Sequence, residues 1–132
     1  MPAWFTTFWT HPATLVGIGG AAGANARYWL GLWFRNQPWA KDYYWGTFVI
    51  NVSGSILLGL IAAMFRDRAG IGFLLLGTGF CGGYTTFSTF SLEVAELVQR
   101  GRWDLALIYV GTSVAAGFVG FVAAWLLVNP QT

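Results

Sequence analysis

The stretch GFCGGYTTFSTFSLE, residues 79–93, groups the side chains of this sequence that are best suited to chemistry. Phe87 and Phe90 stand three residues apart, so on a helix their rings share a face. Ser88 and Thr89 lie between them and supply hydroxyl donors. Because the edge of a phenyl ring is electropositive, rings and hydroxyls together could contact an anion without binding it tightly. Two phenylalanines by themselves are more often part of a core.

The residues just before these rings predict a break in a helix. Gly82 and Gly83, followed by Thr85 and Thr86, are poor helix formers, so we expect the helix to break between Gly82 and Thr86. Carbonyls freed at membrane depth must be buried in protein or face a wet cavity, where they could surround a small cation. The alternative is a simple kink.

Other polar residues stand alone in apolar sequence. Asn51 is followed one helical turn later by Ser55, and its amide could either join helices or offer N–H donors to an anion. Tyr109, Ser113 and Gly117 follow a strict four-residue spacing, which places them in one stripe along a helix. Helix packing explains this stripe equally well.

Charged residues are few, and two positions are informative. Arg27 lies inside an apolar run, where a cation must reach the interface, find a partner or face water. An aqueous vestibule that attracts anions and a side chain that reaches the interface both fit. Glu96 precedes Arg100 by four residues, so we expect a local ion pair.

The composition indicates which elements position these residues. The chain has 132 residues, of which 56% are hydrophobic and 9% charged, so it belongs to the membrane proteins. Uncharged runs cover 43–65, 69–92 and 105–128, and only Arg27 interrupts 12–34. Each run reaches the roughly 20 residues that a bilayer span requires. We predict an all-α, multi-pass protein of the inner or plasma membrane, with one domain (1–132) and four transmembrane helices, about 12–34, 45–65, 71–99 and 103–128.

Several classes of protein are disfavoured. The single cysteine, Cys81, cannot form an intramolecular disulfide. A scattered net charge of +2 does not suggest nucleic acid as a partner. The sequence shows no nucleophile–base pair and no cluster of metal-ligating side chains, so we do not expect an enzyme. The first span begins late and lacks a basic leader, which disfavours a removable signal peptide.

The charges of the predicted loops barely fix an orientation in the membrane. One side carries Arg35, Lys41, Arg100 and Arg102, and the other carries Arg66 and Arg68. Because Lys and Arg in short loops normally decide which side faces the cytoplasm, both orientations are plausible. Two opposite copies would form an antiparallel homodimer, closed by a two-fold interface.

Three motifs resemble one family. GFCGGYTTFSTFSLE resembles the signature of the CrcB or Fluc fluoride channels, and GGAAGANARY and GTFVINVSGS resemble that family's first and second helix motifs. The resemblance covers nearly all of residues 17–128. It implies a fluoride-selective channel that passively exports fluoride and relieves its toxicity. It also implies an antiparallel, dual-topology homodimer with two pores and a structural sodium ion at its centre.

The resemblance also implies roles for individual residues. The implied fluoride pathway comprises Phe87, Phe90, Asn51, Ser88, Thr89, Tyr109, Ser113 and, in the vestibule, Arg27. Backbone carbonyls of Gly82 and Thr85 from both subunits would hold sodium. Gly117 departs from the family pattern, which expects a hydroxyl there, and neighbouring Thr112 is the candidate replacement.

A proton-coupled multidrug exporter is the alternative, because it too can be a small dual-topology dimer. Its chemistry requires a carboxylate within the membrane, and the first two predicted spans contain no Asp or Glu.

Overall fold

The computed structural model describes residues 3–40 and 43–129, and within them every regular element is a helix, which confirms the all-α class. Helix α1 spans Ala3–Thr10, α2 Pro12–Arg35, a short 3-10 helix Pro38–Ala40 and α3 Trp45–Met64. The third predicted span comprises a π-helix, Phe73–Cys81, the single turn α4, Gly82–Tyr84, and α5, Phe87–Gln99. Helix α6 spans Trp103–Val128. By length and composition, α3 and α6 are apolar enough to cross a membrane.

The start of α2 shows how the sequence separates it from α1. His11 is the N-cap of α2, and its ring Nδ1 accepts a hydrogen bond from the N–H of Ala13 at 3.3 Å. Pro12 follows at the first helical position, where its missing N–H leaves no hydrogen bond unmade.

Helix α2 packs directly against the backbone of the third span. A Cβ atom at Gly19 would collide with the carbonyl of Leu75, and one at Gly23 would collide with the carbonyl of Phe80. The glycines of the first span therefore allow close helix approach, as small-residue spacing in membrane helices usually does.

The break in the third span lies at its threonines. Thr85 (φ −76°, ψ 159°) and Thr86 (φ −147°, ψ 120°) are extended, whereas Gly82 and Gly83 remain helical in α4. The expected break is confirmed, and within the predicted segment it lies at the threonines and not at the glycines. Gly83 is needed for packing, because a Cβ there would collide with the carbonyl of Gly20. Threonine, being β-branched, favours extended backbone.

The first half of the third span differs from the regular helix that its sequence predicts. Phe73–Cys81 forms a π-helix that contains the buried residues Gly77 and Gly79. A Cβ at Gly79 would lie 2.9 Å from the carbonyl oxygen of Val16 in α2. π-Helical turns are rare and often occur at functional sites. This π-helix leads directly into α4 and the break.

Candidate functional site

An amide from α3 holds the break in place. The Asn51 Nδ2 donates to the carbonyl oxygen of Thr86 at 3.0 Å, and the Asn51 Oδ1 accepts from the N–H of Thr86 at 2.8 Å. Thr86 is buried, so its backbone groups need protein partners once the helical hydrogen bonds are lost. Asn51 therefore pairs with both backbone groups of one residue, as a neighbouring strand would.

The side chain of Thr86 starts the next helix. Its Oγ1 accepts from the N–H of Thr89 at 3.2 Å, which makes Thr86 the N-cap of α5. The same oxygen lies 3.2 Å from the Oγ of Ser88 and donates to the Oγ1 of Thr89 at 3.1 Å. The row of hydroxyls in the sequence thus serves, in part, to cap a helix.

The two carbonyls predicted to bind a cation have different surroundings. The N–H of Thr86 pairs with Asn51, so the carbonyl of Gly82 loses the donor that an unbroken α-helix would provide. The carbonyl of Thr85 accepts a hydrogen bond from Nη1 of Arg27 at 3.2 Å. A carbonyl oxygen has two lone pairs, so this bond leaves Thr85 one further acceptor site.

A groove of about 540 Å³ lies on one side of the break. We call it the groove, and it is lined by Asn51, Ser55, Thr86, Phe87, Phe90 and Ser113, with Gly82 and Thr85 at the break. None of the described residues that line it is charged. The Oγ of Ser113 is buried and has no hydrogen-bond partner among the described residues. A buried hydroxyl without a protein partner is unusual, because most buried side-chain polar atoms have at least one hydrogen-bond partner.

A second cavity, of about 590 Å³, lies on the other side of the break. We call it the vestibule, and its polar lining includes Arg27, Arg35, Arg100, Glu93, Glu96 and Thr89. Thr86 lines both cavities, so the groove and the vestibule meet at the residue that Asn51 holds.

Both carboxylates of the vestibule are bound to neighbouring side chains. Glu93 accepts from the hydroxyls of Thr47 and Tyr109, each at 2.7 Å. Glu96 accepts from the hydroxyl of Tyr44 at 2.8 Å. The carboxylate of Glu96 also lies 3.8 Å from the guanidinium of Arg100, which confirms the expected ion pair.

The two phenylalanines lie side by side, as their spacing predicts. The ring centroids of Phe87 and Phe90 are 6.1 Å apart, and Phe90 also packs on Tyr109 at 5.1 Å. Phe87 is 80% exposed, whereas Tyr109 is completely buried. Tyr109 therefore stands behind Phe90, with its hydroxyl bonded to Glu93.

The predicted site residues fall into three groups. Phe87, Phe90, Asn51 and Ser113 share the groove with Gly82 and Thr85, while Arg27 and Thr89 line the vestibule. Ser88 and Tyr109 line neither cavity.

Sequence reasoning missed Thr86 as the junction and Glu93 as the centre of a hydroxyl network. The position of Thr86 three residues before Thr89, at the start of a helical pattern, was the available signal for its capping role.

Thr112 has no place in the groove. Its hydroxyl donates to the carbonyl oxygen of Ile108 at 2.7 Å and lies 2.7 Å from the hydroxyl of Tyr43. Neither Thr112 nor Gly117 is among the described residues that line the groove, so the replacement of the missing hydroxyl at Gly117 by Thr112 stays a prediction.

The fold and the site define a class of protein: an all-helical, membrane-embedded protein in which a neutral groove adjoins a charged vestibule. Residues 14–125 match the family described as "CrcB-like protein, Camphor Resistance (CrcB)". The chain belongs to this family, as its three motifs predicted.

Curated relatives agree with this assignment. The chain is 40% identical to the fluoride-specific ion channel FluC 1 of Symbiobacterium thermophilum over 115 residues, which are 85% of this chain and 90% of the relative. It is 44% identical to the fluoride-specific ion channel FluC of Phenylobacterium zucineum over 119 residues, 83% of this chain and 92% of the relative. For the channel of the same name from Novosphingobium aromaticivorans, the identity is 47% over 108 residues, 80% of this chain and 86% of the relative.

Proposed function

We propose that this chain is the subunit of a fluoride-selective channel that passively exports fluoride across the inner or plasma membrane. One observation carries the proposal: Ser113, whose buried hydroxyl has no hydrogen-bond partner among the described residues, lines the same groove as Phe87, Phe90 and Asn51. The names of the relatives supply the identity of the ion. As a channel, the protein performs no covalent chemistry.

The groove suits a small, strongly hydrated anion. Such an ion enters a pore only if new donors replace the water that it loses. The hydroxyl of Ser113, the second N–H of the Asn51 amide and the ring edges of Phe87 and Phe90 can act as these donors. Because none of the described lining residues is charged, the ion is not trapped on a fixed cation.

The vestibule suits the capture of anions from water. Three arginines and two glutamates line it, and both glutamates already accept hydrogen bonds from protein hydroxyls. A cleft with an excess of one charge concentrates the opposite ion and speeds its entry. A membrane potential then drives export, contributing roughly 2.3 kcal/mol per charge for each 100 mV.

In this proposal the functional unit is an antiparallel dimer, and each subunit crosses the membrane four times. Phe87 is 80% exposed, and a Cβ at Gly82 would meet no described atom within 4 Å apart from its chain neighbours and its own helix backbone. An exposed ring beside an open backbone is the surface that a second copy would cover. The nearly balanced loop charges allow that copy to insert in the opposite orientation.

A sodium ion at the dimer centre would use the carbonyls of Gly82 and Thr85 from both subunits. The Gly82 carbonyl has lost its α-helical donor, and the Thr85 carbonyl has one remaining acceptor site beside its bond to Arg27. These oxygen donors are of the kind that hard cations prefer. A fixed sodium ion would add positive potential to both pores.

Ion efflux from liposomes tests the channel. Purified protein is reconstituted into vesicles loaded with potassium fluoride or potassium chloride, and efflux is followed with ion-selective electrodes after valinomycin is added. We expect rapid fluoride efflux and chloride efflux at the level of protein-free vesicles. Comparable rates for the two anions would contradict fluoride selectivity. Proton-dependent uptake of a cationic drug, without fluoride efflux, would instead support the exporter.

The sodium site is tested by replacing every sodium ion with N-methylglucamine during purification and assay. We expect fluoride efflux to fall and to recover when sodium is restored, with no sodium moving alongside fluoride. Undiminished efflux, or sodium moved in proportion to fluoride, would contradict a fixed structural ion while leaving the fluoride channel intact.

A further inference from the structure

The groove contains a second hydroxyl without a hydrogen-bond partner among the described residues. Ser55 lies on α3, one helical turn beyond Asn51, and it is half-buried in the lining of the groove. Ser53, on the same helix, differs: its Oγ lies 3.0 Å from the hydroxyl of Tyr84 and donates to the carbonyl of Ile50 at 3.2 Å. Ser53 joins helices, whereas Ser55 does not.

Ser55 stands opposite Gly117. A Cβ atom built on Gly117 would lie 3.3 Å from the Oγ of Ser55 and 3.9 Å from its Cβ. Gly117 follows Ser113 by one turn of α6 and belongs to the same stripe along that helix. Ser55 therefore lies opposite the position that follows Ser113 in the stripe. The hydroxyl of Ser55 therefore lies in tight contact with the space that a side chain at position 117 would use.

We infer that Ser55 supplies the next anion-contacting hydroxyl after Ser113, from α3 instead of α6. This inference rests on the proposed fluoride channel. If Ser55 served only to pack α3 on α6, its Oγ would be expected to bond across that interface. Instead Ser113, which is buried, and Ser55, which is half-buried, line the same groove on facing helices, and neither hydroxyl bonds to a described residue. An ion that leaves one donor thus meets another before it must regain water.

The test moves the hydroxyl from one helix to the other. Ser55→Ala should reduce fluoride efflux about tenfold, the change expected when one hydrogen bond is lost from the rate-limiting step. In Ser55→Ala the tight contact with the Oγ disappears, which leaves a new Cβ at position 117 an ordinary distance of 3.9 Å from the Cβ of residue 55. The double variant Ser55→Ala/Gly117→Ser should therefore fold and recover most of the efflux.

Two controls separate the hydroxyl from its volume and from packing. Ser55→Ala/Gly117→Ala fills the same space without a hydroxyl and should remain slow. Ser53→Ala removes a hydroxyl outside the groove and should conduct like wild type once folding is verified by size-exclusion chromatography. Wild-type efflux from Ser55→Ala, or equal recovery by alanine and serine at position 117, would overturn the inference and leave the channel standing. A wild-type protein without fluoride efflux would overturn both.

Discussion

The groove and the vestibule are similar in size and opposite in chemistry. Their volumes are about 540 and 590 Å³, and both reach Thr86. The described lining of the groove is uncharged and rich in hydroxyls and phenyl rings, whereas the vestibule carries arginines and glutamates. In the proposed channel this difference would divide the work: fixed charge would gather anions by long-range attraction, and short-range donors would select among them.

The junction between the two cavities is expected to be the most sensitive point. Asn51→Leu would leave the buried N–H and carbonyl of Thr86 without partners, which costs about 1–3 kcal/mol for each group. We expect the free energy of unfolding to fall by about 3 kcal/mol and fluoride efflux to fall by more than about 100-fold. Denaturation in detergent and liposome efflux measure the two effects.

Asn25→Leu is the matched control for Asn51. The Asn25 amide is exposed and donates to the Ala21 carbonyl of its own helix at 2.8 Å. Its loss should change neither stability nor efflux appreciably. If Asn51→Leu behaved like Asn25→Leu, Asn51 would not hold the junction.

Substitutions of the phenyl rings in the groove are expected to have the next largest effect. Phe87→Ile and Phe90→Ile keep much of the apolar volume but remove the electropositive ring edge, so we expect fluoride efflux to fall at least about tenfold in each. Stability should change little for Phe87, which is 80% exposed, and more for Phe90, which packs on Tyr109. Efflux and thermal unfolding distinguish the two variants.

Phe118→Ile controls for the loss of an aromatic ring. Phe118 is 70% exposed on α6 and does not line the groove. Its replacement should leave efflux unchanged. Wild-type conduction by both Phe87→Ile and Phe90→Ile would place anion selection outside the groove.

Substitutions of Arg27 test whether the vestibule attracts anions by its positive charge. Arg27→Gln keeps a donor for the Thr85 carbonyl but removes the positive charge, so we expect efflux to fall about fivefold at low ionic strength. Because salt screens exposed charges, with a Debye length of about 3 Å at 1 M, the difference should shrink as salt rises. Arg27→Lys keeps the charge and should stay near wild type. A salt-independent defect in Arg27→Gln would assign Arg27 to the break instead of to anion capture.

Local patterns predicted the parts of the site that depend on spacing along one helix. The shared face of Phe87 and Phe90 and the ion pair between Glu96 and Arg100 both follow from the helical period. The all-α class followed from long uncharged runs. A single sequence contains these signals because each depends on residues only a few positions apart.

Contacts between residues that lie far apart in the sequence could not be predicted from the sequence alone. Asn51 and Thr86 are 35 positions apart. No pattern of neighbouring residues therefore shows that the break is bonded to this amide and does not lie at the glycine pair. The roles of the two glycines are also visible only in the structure. A Cβ at Gly83 would collide with the backbone of Gly20, whereas one at Gly82 would meet no described atom within 4 Å apart from its chain neighbours and its own helix backbone. The groove and the vestibule are separated where helices from distant parts of the chain meet around one extended segment.

The smallest effect is expected at the outer end of the vestibule, at Arg100. Its side chain is 69% exposed and already paired with Glu96, so its charge is largely cancelled before an anion arrives. Exposed pairs of this kind contribute about 0–1 kcal/mol, and we therefore expect Arg100→Gln to change efflux by less than about twofold. Glu96→Gln should conduct slightly faster, because it frees the positive charge of Arg100 while keeping a partner for the Tyr44 hydroxyl. If Arg100→Gln were as slow as Arg27→Gln, anion capture would depend on the total charge of the vestibule, and the position of Arg27 beside the break would have no special importance.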